Sequence, residues 1–139
     1  MKMVSSARLR RAEERVRNAR PYVEHMERIF SLIASAVAGD VLHQLAEVRP
    51  AVLRTGFLVL SSDRGLCGSY NTNLLRAVES HAAGVHGEKV IYAAGRTARD
   101  YFRRRKWNIA REFVNISFHL EYREIKNIVD AAAGDFLAG

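Results

Sequence analysis

Ser62 to Asn71 (SDRGLCGSYN) gathers the groups in this 139-residue chain whose types and spacing come nearest to chemistry. The segment holds the only cysteine, Cys67, with Gly65 and Gly68 on either side and a carboxylate at Asp63. It follows an apolar run, Thr55 to Ser61 (TGFLVLS), and precedes an apolar-periodic one from Leu74 to about His81. A turn from strand to helix is where α/β proteins commonly bind phosphates or mount a nucleophile, and each chemistry has requirements of its own.

The phosphate reading fails on composition. A Walker loop ends in Lys and a hydroxyl residue after its glycine, and neither follows Gly68 in that pattern. A dinucleotide loop needs glycines two and then three apart, whereas Gly65 and Gly68 stand alone, three apart. As a nucleophile elbow, the turn would present Cys67, but Ser69 replaces the second elbow glycine. A cysteine nucleophile also needs a base. The candidates, His25, His43, His81, His86 and His119, carry no matching signature. The turn therefore reads as structural: Gly65 and Gly68 permit positive φ, Cys67 fills a small buried space, and Asp63 pairs with Arg64 or caps a local turn. No catalytic, cofactor or metal site follows. One cysteine excludes an internal disulfide and a multi-cysteine zinc site, and fits a reducing compartment.

Around this turn strand and helix alternate. Thr55 to Ser61 reads as a buried strand, and Asn71 or Asn73 could cap the helix from Leu74. Lys89 to Ala94 (KVIYAA) is a second strand, Gly95 turns, and Arg96 to about Arg105 is a helix with Ala98, Tyr101 and Phe102 on one side. Asn108 to Ile116 gives a third strand and Tyr122 to Leu137 a third helix. That order predicts an α/β domain over 55–139, Rossmann-like and three-layered, with a parallel sheet that is narrow and looks truncated.

The first 48 residues have another texture. Leu9, Ala12, Val16, Ala19, Val23, Met26, Phe30, Ile33 and Val37 alternate steps of three and four, the a/d seam of a coiled coil. A helix from Met1 to Val37 would run roughly 55 Å at about 1.5 Å per residue. A compact chain of this size has a radius of gyration near roughly 14 Å, so the helix must project from its domain. Pro21 removes one backbone hydrogen bond and predicts a kink, yet the seam keeps its phase through it. No later segment offers a matching heptad run, so the facing helix belongs to another chain or to an absent part of this one. Left unpaired, the strip predicts self-association or a helix folded back against the domain.

Composition excludes other classes. Hydrophobic residues are 48% and charged residues 27%, with 9 Gly and 2 Pro, which rules out extensive disorder and collagen. No apolar run approaches the roughly 18 residues of a membrane span, and no secretory signal pattern opens the chain. Net charge is +7, and Lys2, Arg8, Arg10, Arg11, Arg15, Arg17 and Arg20 concentrate it in the first 20 residues. An alternative function follows from that charge: a basic-helix module that binds nucleic acid or an anionic surface.

SDRGLCGSYN after an apolar strand resembles the SDRGLCGG-plus-Asn signature of the gamma subunit of F-type ATP synthases. Met1 to Tyr22 (MKMVSSARLRRAEERVRNARPY) is similar to that family's first long helix, with its Lys-Met-Val stretch, basic cluster and Ala-Arg-Pro-Tyr segment. The resemblance covers the chain and weakens after Gly84. Ser69 and Tyr70 depart from the usual glycine and apolar residue.

The resemblance implies a non-catalytic rotor subunit, the central stalk that couples proton-driven rotation of a membrane ring to ATP synthesis in an alpha/beta ring. The first helix would pair with a C-terminal helix of the same subunit, absent here, as an antiparallel coiled coil. Partners would be the alpha, beta and epsilon subunits and the c-ring, with no cofactor and no nucleic acid. Lys2, Met3, Arg8, Arg10 and Arg11 would lie along the shaft near the beta subunits. Asp63, Arg64, Gly65, Leu66, Cys67, Gly68 and Asn71 would form a structural corner of the rotor domain. The place implied is peripheral, on the cytoplasmic face of a bacterial plasma membrane or an equivalent energy-transducing membrane.

Overall fold

A computed structural model describes residues 2–36, 44–46, 50–116 and 122–139. Two compact units divide it, Met1–Ala46 and Glu47–Gly139.

The first unit is dominated by helix α1, Lys2–Ala36, which continues through Pro21. The ring leaves residue 21 without an N–H to donate. Next to it, the His25 ring donates from Nδ1 to the Pro21 carbonyl at 2.7 Å. At about 1.5 Å per residue, its 35 residues span roughly 52 Å. A short 3₁₀ turn, Gln44–Ala46, follows. Val37, and the expected weakening of the helix at Gly39 and Asp40, lie outside the described residues.

The second unit is mixed α/β. Three parallel strands, β1 (Arg54–Leu60), β2 (Glu88–Ala94) and β3 (Asn108–Phe113), lie in the order β1-β2-β3. Helices α2 (Tyr70–Ala83), α3 (Arg96–Arg104) and α4 (Tyr122–Ala138) follow one strand each. Two crossovers that step the same way along a sheet put their helices on one face. Leu74, Leu75 and Val78 of α2 and Ala98, Tyr101 and Phe102 of α3 accordingly share one core with Phe57, Val59, Ile91, Ala93 and Ile109. Phe102 is fully buried, with Tyr101 and Trp107 edge-on at 5.2 Å. The central strand is buried from Val90 to Ala94, hence its apolar run without alternation.

The opposite face of the sheet receives α4. The Tyr92 hydroxyl donates to Asp135 at 2.9 Å, and Arg111 pairs with the same carboxylate at 3.3 Å. A groove of about 450 Å³ remains between them, lined by Leu58, Val90, Ala132 and Phe136 among others. Leu58 and Leu60 of β1 are about half exposed on this side.

The β2–β3 register shifts between Ile91 and Tyr92. Ile91 is opposite Ile109 but Tyr92 is opposite Arg111, so Ala110 is a bulge. Its immediate effect is to send Arg111 toward α4 and Glu112 toward α3, where Arg103 meets it at 2.5 Å.

Candidate functional site

The signature turn lies at the carboxyl edge of the sheet, and its residues are bound to segments far along the chain. Ser61, just past β1, donates its N–H to the Ala94 carbonyl at 2.7 Å and accepts the Ala98 N–H on Oγ at 2.9 Å. Asp63 is 7% exposed. Its Oδ1 accepts the N–H of Arg96 at 2.9 Å and of Asn115 at 3.0 Å, so it joins the start of α3 to the chain beyond β3. Beyond the turn-local role expected for Asp63, these bonds tie it to residues 33 and 52 positions away.

Asn71 organises the turn from within. Its Oδ1 accepts the Ser62 N–H at 3.2 Å, and its Nδ2 donates to Ser62 Oγ at 2.7 Å and Cys67 Sγ at 3.0 Å. Ser62 Oγ donates in turn to the Arg64 carbonyl at 2.5 Å. Helix α2 starts four residues before the expected Leu74, with Ser69 as N-cap rather than Asn71 or Asn73. Asn71 is turned into the corner, and Asn73 Nδ2 donates to Ser69 Oγ at 3.3 Å.

The glycines divide in role. Gly68 has φ +59, as a left-handed turn residue requires, but Gly65 has no neighbour within 4 Å and no positive φ. Leu66 takes that conformation instead, at φ 63, with its side chain fully exposed. Gly95, read only as a turn, is the more constrained: at φ +107 its Cα faces the Ser61 backbone, and a Cβ would stand 2.2 Å from Ser61 O.

Cys67 is half-buried rather than sealed in a buried space. Its sulfur lies against Asn71 and, at 3.6 Å, Ser62 Oγ; neither is the base a thiolate mechanism requires. Among the described residues no cluster of three or more His, Cys, Asp or Glu could hold a metal ion. No described helix is long and apolar enough to cross a membrane.

On α1 every described side chain is exposed except Met26, which is half-buried, and the seam residues Leu9, Val16, Val23, Phe30 and Ile33 are 42% to 62% exposed. Ala12 and Ala19 are exposed with them, as are Arg10 and Arg11. Lys2, Met3 and Arg8 belong to the same helix. Their side chains lie outside the described residues.

A long, basic, apolar-striped helix and a parallel α/β unit with a polar corner at its carboxyl edge define a mixed α/β protein with an N-terminal helical extension. A family model described as ATP synthase matches residues 1–139, and the chain belongs to that family. Over all 139 residues it is 40% identical to the ATP synthase gamma chain of Desulfitobacterium hafniense. It spans 49% of that relative's length.

Proposed function

We propose that this chain is the N-terminal portion of a central-stalk rotor subunit, non-catalytic itself, which couples proton-driven rotation of a membrane ring to ATP synthesis in an alpha/beta ring. The observation that carries the reading is α1: one helix of 35 residues with an unpaired heptad seam and a basic surround. Such a seam is stable only against a facing helix, here assigned to a later segment of the same subunit. Together they form the shaft, with Lys2, Met3, Arg8, Arg10 and Arg11 near acidic loops of the beta subunits. The α/β unit binds the epsilon subunit and rests on the c-ring, peripheral on the cytoplasmic face of a bacterial plasma membrane. Torque then passes through shape and charge, without a reacting group on this chain.

The test supplies the chain, extended by the C-terminal half of a gamma chain, to membranes lacking their own gamma subunit. The extended form should co-purify with alpha, beta and epsilon subunits and restore proton-coupled ATP synthesis; the 139-residue form should restore neither and should self-associate. Changing Arg8, Arg10 and Arg11 together to Glu should impair coupling or assembly while the α/β unit stays folded. Unchanged coupling removes the contact assignment. Failure of the extended form to assemble, with salt-sensitive binding of the chain to DNA, RNA or anionic vesicles, favours the basic-helix module instead.

A further inference from the structure

The seam of α1 mixes large and small side chains in a definite order. Its a positions hold Leu9, Val16, Val23 and Phe30, its d positions Ala12, Ala19, Met26 and Ile33, and all but the half-buried Met26 are exposed. Such a strip needs a facing helix whose sizes and charges complement its own. Run in the opposite direction, α1 is itself that helix. In an antiparallel pair each a residue faces a d residue, and the register that sets Leu9 against Ile33 also sets Ala12 against Phe30, Val16 against Met26 and Ala19 against Val23. The bulkiest residue of the strip thus meets one of the smallest. A hollow of about 380 Å³ opens beside Ala12, Glu13 and Val16, where Phe30 of a second copy would enter as a knob. On the e flank the same register brings Arg20 to Glu27 of the second copy. Helix side chains lean toward their own N-terminus, so in an antiparallel pair these two lean toward each other. On the g flank Tyr22 meets Tyr22 at the twofold axis and Ile29 lies under the stem of Arg15, which covers two exposed apolar residues outside the seam.

We propose that α1 is its own antiparallel partner, and that the 139-residue chain forms a twofold dimer through Leu9 to Ile33 in this one register. A twofold interface makes every contact twice, so the pair gains two Arg20–Glu27 contacts and two Phe30–Ala12 layers. A slip of one heptad in one direction sets Glu27 against Glu27; a slip in the other sets Arg20 against Arg20 and Glu13 against Glu27. A parallel pair stacks Ala12 on Ala12 and Phe30 on Phe30, a void in one layer and crowding in another. Charge and size therefore select the same orientation and the same register. This goes beyond self-association by naming the residues that meet, and it rests on the seam rather than on the rotor role, so either can fail without the other.

Sedimentation equilibrium of the full 139-residue chain should show a monomer–dimer equilibrium. Arg20→Glu and Glu27→Arg should each weaken the dimer about tenfold or more, and the double variant, which rebuilds both opposite-charge pairs, should return to within about threefold of wild type. Phe30→Ala and Ala12→Phe should likewise weaken it singly and recover when combined. All four residues are exposed on α1, and Trp107, packed on Phe102, reports by its fluorescence that the α/β unit stays folded in every variant. Orientation is read with a short bismaleimide on single-cysteine chains in a Cys67→Ser background. Leu9→Cys mixed with Ile33→Cys should cross-link. Leu9→Cys alone should not, because its two copies would stand roughly 36 Å apart at about 1.5 Å per residue. A chain that stays monomeric with α1 folded back, Leu9→Cys linking to itself, single reversals without effect, or paired swaps that fail to restore the dimer would each overturn the proposal.

Discussion

Replacing Gly95 with alanine should be among the most damaging single-methyl changes in the chain. The added Cβ would lie 2.2 Å from the Ser61 carbonyl oxygen, 2.5 Å from its Oγ and 2.7 Å from its carbonyl carbon. Two of those atoms are backbone, so no flexible side chain can swing aside; the ends of β1 and β2 must part. That motion strains the Ser61–Ala94 and Gly95–Phe113 backbone bonds, both 2.7 Å, and the Ala98 amide bond to Ser61. Holding alanine at φ +107 costs about 1–3 kcal/mol. Weakening two or three hydrogen bonds adds about 0.5–1.5 kcal/mol each. The sum, about 2–7 kcal/mol, is a large share of the roughly 5–15 kcal/mol that keeps a domain folded.

Urea unfolding followed by the single tryptophan reads this directly, because Trp107 packs on Phe102 in the core. With an m-value of about 1.5 kcal/mol/M, the midpoint should fall by about 1–5 M. Gly65→Ala is the matched control: nothing stands within 4 Å of its added Cβ. It should stay within about 0.5 kcal/mol of wild type. A Gly95→Ala midpoint equal to that of Gly65→Ala would refute the claim that Ser61 and Gly95 lock the strand ends together.

Asn71→Ala strips the Ser62 N–H, Ser62 Oγ and Cys67 of their shared partner; it should cost about 2 kcal/mol and raise the iodoacetamide labelling rate of Cys67 as the turn loosens. Equal labelling and an unchanged midpoint would contradict Asn71 as the organiser. Tyr92 has its pKa raised above 10.0, first by burial and then by its hydrogen bond to the Asp135 carboxylate and that group's charge. The folded state therefore prefers the protonated phenol: this stabilisation is complete below pH 10.0 and is lost as pH climbs through the higher folded value. Tyr92→Phe should flatten the alkaline fall in urea midpoint, leaving the part due to Tyr101, which burial and Glu79 shift the same way. A steeper alkaline fall in the variant would reverse the sign and defeat the assignment.

The parts of the fold that sequence makes visible are those carried by short-range periodicity. Strand runs such as KVIYAA, and the Ala98, Tyr101 and Phe102 face of α3, declare themselves by apolar spacing, and the structure places them within a residue or so of their expected bounds. The start of α2 was hidden because Tyr70, Asn71, Thr72 and Asn73 carry no apolar period; what fixes it is Asn71 reaching back across the turn. Asp63 was legible as a polar residue in a turn but not as a link to Arg96 and Asn115, since nothing local encodes partners in other elements. Gly95 announced a turn, while its reason, the close approach of Ser61, exists only once β1 and β2 lie side by side. The third strand ends at Phe113, short of the expected Ile116, because Val114 and Ile116 continue the apolar pattern past the point where pairing stops.

The single surplus residue Ala110 also acts as a proofreader of strand register. β3 reads NIAREF, too poor in alternating apolar residues to say which face is which. Were the pairing to run on without the bulge, Tyr92 would meet Ala110 and Ala93 would meet Arg111. Arg111 would then turn toward the helix that carries Arg103, and Glu112 toward the helix that carries Asp135. Each of the two opposite-charge encounters, Arg111 with Asp135 and Arg103 with Glu112, would become a like-charge one. Exposed pairs are weak, about 0–1 kcal/mol each, but exchanging two attractions for two repulsions separates right from wrong register by about 2 kcal/mol. A slipped sheet is thus rejected by sign, where hydrophobicity alone would have let it pass.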